Sequence, residues 1–215
     1  MASKEQAEQV VKWVRGKYGQ DLGADNKRYV DPPVLLLKDE QAETRNANQS
    51  LASIRRALLR TELRERRAGG GVFDTPAKIG QLIFNQKLFA GNCGEMCYLS
   101  CFMAQKSKAR IWKVTIDDPG DHQFCILGDA KPTAKSIAEM SAMGDDSWVL
   151  DPWAGIVCRP GEFRQEFIGK MVKWTSRGKR VGLVNAGGTY DWHAPIGEKY
   201  LDAQLYSNLT TKSGW

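Results

Sequence analysis

The stretch Gly91-Asn92-Cys93-Gly94-Glu95-Met96 decides how this chain is expected to fold. Glycine and asparagine favour a turn, and the residues that follow favour a helix, so the stretch predicts a helix over residues 93–106 that begins at Cys93. A thiol at a helix N-terminus lies beside unpaired N–H groups and the positive end of the helix dipole. This context favours the thiolate and makes Cys93 a candidate nucleophile.

The part of the chain before this stretch is mostly helical in pattern. Apolar residues at helical spacing predict a helix over residues 4–18, and residues 39–67 predict a longer one. The apolar stripe expected on the longer helix consists of Leu51, Ile54, Leu58, Leu59 and Leu63. Because Gly69-Gly70-Gly71 then breaks the pattern, we predict a helical N-terminal extension over residues 1–70 and a catalytic core over residues 71–215.

The second part of the chain mixes helices with strands. Further helices are expected over residues 75–90, with Pro76 as the first helical residue, and over residues 161–174. Alternating or apolar runs predict strands over residues 109–117, 122–128 and 147–151. A short helix or an irregular excursion is expected within residues 131–144, and residues 181–215 are not assigned. The pattern indicates an α+β fold in which the helix carrying Cys93 packs on an antiparallel sheet.

A histidine and an aspartate lie where two of these strands begin and end. His122 opens one predicted strand and Asp151 closes the next, so antiparallel pairing would bring the two side chains together. With Cys93 they supply a nucleophile, a base and a carboxylate that orients the base. The other histidine, His193, lies in a turn-like stretch with no clear strand, which favours His122 as the base. The alternatives are that His122 is a surface histidine and that Asp151 only caps a turn.

The remaining polar candidates and cysteines are assigned from their positions. The backbone N–H of Cys93 would stabilise an oxyanion together with a side-chain donor, for which Asn92 and Gln86 are the candidates. A zinc site built on the helical cysteines is rejected, because steps of four residues spread them over about two turns of the helix. We therefore expect no metal and no cofactor. The other cysteines are interpreted as buried structural residues, namely Cys97, Cys101, Cys125 and Cys158.

These motifs resemble the papain-like and transglutaminase-like superfamily of Cys-His-Asp enzymes. The resemblance covers roughly residues 85–155 and is carried by Gly91-Asn92-Cys93-Gly94-Glu95, by Asp121-His122-Gln123-Phe124 and by Trp148-Val149-Leu150-Asp151-Pro152-Trp153. It is most similar to compact members found among bacterial effector proteases and toxin domains. That similarity implies cleavage, deamidation or transamidation of a protein in a target cell. The chain departs from animal transglutaminases in that Gly94 follows the cysteine.

Composition limits the partners and the location that we expect. The chain has 215 residues, a net charge of +6, 42% hydrophobic and 26% charged residues, and five cysteines without a disulfide-type spacing. The basic residues are mixed with acidic ones, so nucleic-acid binding is not expected. No apolar run predicts a membrane span, and no classical signal peptide is evident. We expect secretion by a signal-peptide-independent route with action in the cytoplasm of a target cell, or otherwise a cytoplasmic protein.

The predicted function is hydrolysis of an amide bond through a thioester formed on Cys93. A main-chain amide as substrate would make the protein a protease, and a glutamine side chain would make it a deamidase. An amine acceptor in place of water would make it a transglutaminase. A protein substrate is the expected partner, and a cognate inhibitor or chaperone would be compatible with such a role. The alternative from another class is a catalytically silent binding module that uses the arginine-rich helix at residues 50–67.

Overall fold

The structure is a computed structural model that describes residues 2–20, 24, 26–29, 39–70, 73–185 and 189–215. Its helices and antiparallel strands form an α+β arrangement. In chain order they are α1 (Lys4–Gln20), β1 (Lys27–Tyr29), α2 (Asp39–Ala68), α3 (Pro76–Asn85), α4 (Cys93–Lys106), β2 (Ile111–Ile116), β3 (Gln123–Leu127), a 3₁₀ helix (Ile137–Ala142), β4 (Trp148–Asp151), β5 (Ile156–Cys158), α5 (Pro160–Thr175), β6 (Lys179–Val184), β7 (Tyr190–His193), α6 (Glu198–Tyr206) and β8 (Leu209–Ser213).

The centre of the molecule is an antiparallel sheet of five strands in the order β5-β4-β3-β2-β8. Successive side chains of β3 point to opposite faces of the sheet, so their contacts show which helix packs on each face. The sulfur of Cys125 lies 3.7 Å from the carbonyl oxygen of Cys97 in α4, whereas the ring of Phe124 lies 4.6 Å from that of Phe163 in α5. The two helices therefore cover opposite faces, and the predicted α+β class is confirmed.

The helix that begins at Cys93 has the predicted bounds, and a second helix packs closely against it. The approach of α3 to α4 requires a glycine, because a Cβ at Gly80 would lie 2.0 Å from the carbonyl oxygen of Tyr98. Thr75 caps α3 and Pro76 is its first residue, as predicted, but the helix ends at Asn85 and not at residue 90. The α3–α4 pair holds the N-terminus of α4 at the end of the sheet where β3 begins.

The first helix is part of the same core as the sheet. One face of α1 is buried, and it packs on β4, β5 and α4 with the apolar residues Ala7, Val10, Val11, Val14 and Tyr18. The guanidinium of Arg15 donates to the carbonyl oxygen of Pro152 over 2.9 Å, directly after β4. The division of the chain near residue 70 stays a prediction, but the segment before it contributes directly to the core of residues 71–215.

The smaller sheet has three strands in the order β1-β6-β7, and it corrects the interpretation of His193. We expected no strand around this residue, yet His193 ends β7 and is paired with Val181 of β6. The strand has only four residues, and its partner β6 precedes it across a short connection. Its sequence, Tyr190-Asp191-Trp192-His193, does alternate apolar and polar residues, but four residues followed closely by Pro195 are also typical of a turn-like stretch.

The predicted apolar stripe of α2 is only partly buried. Leu59 is buried and Leu63 is half-buried, whereas Leu51, Ile54 and Leu58 are exposed. The buried face is instead centred on Ala52 and Leu59. Of the glycines predicted to follow the helix, Gly71 lies outside the described residues. Within the described part of the chain, no helix has both the length and the apolar character needed to cross a bilayer.

Candidate active site

The N-terminus of α4 is built by the glycines and the glutamate around Cys93. Gly91 has a φ of +128°, which favours glycine, and a Cβ there would lie 2.7 Å from a carboxylate oxygen of Glu95. That carboxylate accepts the backbone N–H of Asn92 over 2.8 Å and so satisfies a donor at the start of the helix. The result is a tight turn that presents Cys93, which is 5% exposed, as the first helical residue.

His122 and Asp151 meet as antiparallel pairing of their strands requires. The register of β3 with β4 joins Cys125 to Leu150 and is antiparallel, which confirms the predicted pairing. His122 Nε2 lies 2.7 Å from Asp151 Oδ2, and both side chains are almost fully buried. The second carboxylate oxygen of Asp151 accepts the N–H of Ala154 over 2.8 Å. Asp151 therefore orients the histidine and caps the following turn at the same time.

Aromatic rings enclose the histidine and keep its surroundings dry. The ring of His122 lies 4.9 Å from that of Trp153 and 5.4 Å from that of Phe167, centroid to centroid. The indole N–H of Trp153 donates to the side-chain oxygen of Asn26 over 2.9 Å. Because water is excluded on these sides, the charge of Asp151 acts on the imidazole with little screening.

The electrostatics of the site favour a protonated imidazole. Burial lowers the pKa of His122, but the charge and hydrogen bond of Asp151 and the contact with Cys93 outweigh it and raise the pKa to about 10. With Nε2 occupied by Asp151, Nδ1 is the nitrogen left to face the sulfur of Cys93. These contacts therefore favour the imidazolium form of the ring, which can stabilise a thiolate on Cys93.

The sulfur of Cys93 contacts both a backbone carbonyl and the imidazole of His122. It donates to the carbonyl oxygen of Asp121 over 3.7 Å, and it also interacts with the ring of His122. Burial raises the pKa of Cys93, although the hydrogen bond and charge of His122 act in the opposite direction. The sequence predicted a thiolate from the helix terminus alone. Burial of the sulfur is the opposing effect that only the folded chain introduces.

The two candidate side-chain donors for an oxyanion have different positions. The side chain of Asn92, directly before the cysteine, donates to the hydroxyl of Tyr190 over 3.1 Å. Gln86 follows the end of α3 and its side chain is exposed, so the structure does not bring it to the buried triad. The backbone N–H of Cys93 belongs to the first turn of α4, whose donors have no acceptor within the helix. That N–H is the better-placed donor for an oxyanion.

An arginine from α2 reaches the same end of α4. Arg56 Nε lies 3.3 Å from Glu95 Oε1, and another guanidinium nitrogen donates to the hydroxyl of Tyr190 over 2.5 Å. Both side chains of the ion pair are largely buried. The sequence showed Arg56 only as one of many arginines in a helix. Its contact with Glu95 was not predicted, because it joins residues that are 39 positions apart.

A lysine from β1 lies behind the turn that follows Asp151. Lys27 Nζ donates to the carbonyl oxygen of Trp153 over 2.7 Å and lies over the rings of Trp153 and Trp174. Burial, followed by repulsion from Lys179 and Arg15, lowers the pKa of Lys27 well below its ordinary value. Nothing in the local sequence marked this lysine as a neighbour of the triad.

The other four cysteines are buried and free, as is Cys93. Cys125 contacts Cys97 and Cys101 between β3 and α4, and burial raises its pKa well above the ordinary value. Burial together with Glu162 and Glu166 raises the pKa of Cys158 to about 12. Among the described residues, no group of three or more histidine, cysteine or acidic side chains is arranged to hold a metal ion.

Comparisons of this chain with protein-family models, with curated proteins and with solved structures find no match. The chemistry of the site is therefore inferred from the geometry of its own residues.

Proposed function

We propose that this chain is a cysteine hydrolase of the papain-like and transglutaminase-like type that acts on an amide bond of a protein. The observation that carries the proposal is the alignment of Cys93, His122 and Asp151 at one end of the sheet, with the imidazole between the sulfur and the carboxylate. This is the arrangement that thiol catalysis requires.

The reaction follows from the positions of the three groups. His122 accepts the thiol proton of Cys93, which leaves a thiolate beside the imidazolium, and the sulfur attacks the carbonyl carbon of the substrate. The backbone N–H of Cys93 stabilises the oxyanion. His122 then gives its proton to the leaving nitrogen, the C–N bond breaks, and a thioester remains on Cys93. Water attacks the thioester, His122 accepts a proton from it, and cleavage of the C–S bond releases the acid and the enzyme.

Alkylation of the cysteines tests the nucleophile directly, and the chain offers a matched control. Cys93 and Cys158 have the same fractional exposure of 5%, but of the two only Cys93 contacts an imidazole. With iodoacetamide near neutral pH, we expect Cys93 to react at least about tenfold faster than Cys158. In His122→Ala this preference should disappear. Equal rates for the two cysteines in the wild-type protein would contradict the proposal.

The product of the reaction distinguishes protease, deamidase and transglutaminase, which share one mechanism. Proteins of a target cell are treated with the wild type or with Cys93→Ala and are then analysed by mass spectrometry. New termini would identify a protease, conversion of glutamine to glutamate a deamidase, and new cross-links a transglutaminase. Identical protein patterns in the two samples, together with an unreactive Cys93, would favour the silent binding module.

The proposal extends to a role as a bacterial effector or toxin. Such a protein would leave its producer by a signal-peptide-independent route and would modify a protein in the cytoplasm of the target cell. The role as an effector or toxin is supported by the similarity of the motifs around Cys93, His122 and Asp151 to those of compact effector proteases. Expression of the wild type and of Cys93→Ala in candidate target cells tests it, since toxicity that depends on Cys93 is expected.

A further inference from the structure

A glutamine from the C-terminal half of the chain contacts the segment that carries the catalytic histidine. Gln204 lies on α6 and is completely buried. Its Oε1 atom accepts the backbone N–H groups of Asp121 over 3.3 Å and of His122 over 3.2 Å. Its Nε2 atom donates to Asp121 Oδ1 over 3.2 Å. One side-chain amide thus makes three hydrogen bonds to two adjacent residues.

The end of α6 supports this segment at neighbouring positions as well. Ser207, directly after α6, accepts the N–H of Gly120 over 3.2 Å. Together, the side chains of Gln204 and Ser207 accept the backbone N–H groups of three consecutive residues. The backbones also approach closely. A Cβ at Gly120 would lie 2.9 Å from the carbonyl oxygen of Ala203 and 2.4 Å from a methyl carbon of Ile116. The segment is therefore confined between β2 and α6.

The confined segment presents two groups to the nucleophile. The carbonyl oxygen of Asp121 accepts the thiol of Cys93, and the next residue supplies the imidazole. A displacement of this backbone would move both groups relative to the sulfur and would move the imidazole relative to Asp151. Geometric errors of about 1 Å at such a site cost up to about a hundredfold in rate.

We infer that Gln204 is a positioning residue of the catalytic site, whose side-chain amide holds the Asp121–His122 backbone so that the imidazole faces both the sulfur of Cys93 and the carboxylate of Asp151. The inference rests on the proposed function, because it assigns Gln204 a role in the thiol chemistry of that site. Gln204 acts through His122 and does not itself contact the reacting atoms.

The chemistry of the contact requires an amide. A glutamine accepts hydrogen bonds through its oxygen and donates them through its nitrogen, and Gln204 makes both kinds of hydrogen bond here. A glutamate of the same shape would still accept the backbone N–H groups, but it would place a second acceptor against the carboxyl of Asp121. Asp121 is partly buried here and little water screens its charge beside the buried Gln204, so two ionised carboxylates at this place would repel each other strongly.

An exchange of the two side-chain types tests the inference. The variants are Gln204→Glu, Asp121→Asn and the double variant that combines them, and the readout is the rate of Cys93 alkylation by iodoacetamide. Gln204→Glu should slow the reaction about tenfold or more, because a buried hydrogen bond becomes a repulsion. The double variant should regain the rate of Asp121→Asn, since the new side-chain amide at position 121 can donate to the introduced carboxylate. Gln165→Glu, on the exposed side of α5, is the control and should react as the wild type does.

The outcomes separate a positioning role from a structural one. Melting temperatures identify variants that are merely unfolded, and only folded ones are compared. A wild-type rate in folded Gln204→Glu, or no recovery in a folded double variant, would overturn the inference. If instead the wild-type Cys93 is no more reactive than Cys158, the proposed function fails, and a second readout still decides the role of Gln204.

That second readout is the titration of His122 followed by NMR of ¹³C-labelled histidine. The chain has two histidines, so the signal of His193 serves as an internal reference. In Gln204→Met the pKa of His122 should fall from about 10 by roughly one unit or more, because the ring is no longer held beside Asp151. An unchanged titration in this variant would refute the positioning role, whatever the reactivity of Cys93.

Discussion

At the scale of single residues, Cys93 and Cys158 show that burial alone does not decide the chemistry of a thiol. Both are exposed to the same small extent, and burial raises the pKa of both. The acidic neighbours of Cys158 add to that effect, whereas His122 opposes it at Cys93. The imidazole beside the sulfur is therefore the feature that separates a candidate nucleophile from a structural cysteine.

The buried His122–Asp151 pair makes stability depend on pH. Because folding raises the pKa of His122 from 6.5 to about 10, its contribution is fully present below pH 6.5 and is lost as the pH rises towards 10. Over this range the free energy of unfolding should fall by up to about 1.4 kcal/mol per pH unit. Urea denaturation of the wild type and of His122→Gln measures the effect. The same slope in both proteins would contradict the assigned ion pair.

At the scale of secondary-structure elements, the position of Cys93 depends on how α4 packs. The carbonyl oxygen of Tyr98 and the Cβ of Phe102 lie where a side chain at Gly80 would be. On the other side, Gln123 of β3 approaches Gly94 so closely that a Cβ there would lie 2.9 Å from its Oε1. Glycines on both sides of α4 thus allow the helix to lie between α3 and the sheet.

Gly80→Ala tests the packing of α3 on α4. The new methyl group would overlap a backbone oxygen, so we expect a loss of about 2–3 kcal/mol in the free energy of unfolding and slower alkylation of Cys93. Gly169→Ala is the matched control, because it also lies inside a helix but has no atom within 4 Å of the new Cβ. The control should gain about 0.5–1 kcal/mol from helix propensity. Equal effects in chemical denaturation would show that the close approach is unimportant.

At the scale of the whole molecule, distant parts of the chain meet around one sheet. The first helix contributes Arg15 and Tyr18 to contacts with the turns after β4 and before α4. The last strand, β8, pairs with β2 and forms an edge of the five-stranded sheet. Side chains from three further elements contact the site or its surroundings, namely Lys27 of β1, Arg56 of α2 and Gln204 of α6. Stability of the site therefore depends on nearly the full length of the described chain.

Val14→Ala tests whether α1 belongs to this cooperative unit. Val14 is fully buried against the sheet, and the substitution should cost about 2 kcal/mol and lower the single melting temperature. Val172→Ala, on an exposed face of α5, is the control and should change stability by less than about 0.5 kcal/mol. A separate low-temperature transition in Val14→Ala would show instead that α1 unfolds independently of the sheet.

Some of this arrangement was predictable because it depends on local patterns. The start of α4 at Cys93 follows from turn residues and helix formers, and the bounds of α1 and α5 follow from apolar spacing. The predictions that were wrong also have physical causes. The strand around His193 is stabilised by pairing with β6, and the exposed face of α2 reflects which side of the helix finds a partner. A strand of four residues gives too short a pattern to be recognised, and the burial of one face of α2 depends on contacts outside the helix.

The sequence by itself determined the order Cys93, His122, Asp151 and the elements that carry them, since helix starts and strand ends are set by neighbouring residues. Only the tertiary structure decided the rest of the site. It placed Gln204 against the backbone of His122 across 82 positions and joined Arg56 to Glu95. It also buried the sulfur, so that the pKa of Cys93 is raised where the helix terminus alone favours a thiolate. The physical reason is that burial and long-range contacts depend on the whole chain, whereas local conformation depends on adjacent residues.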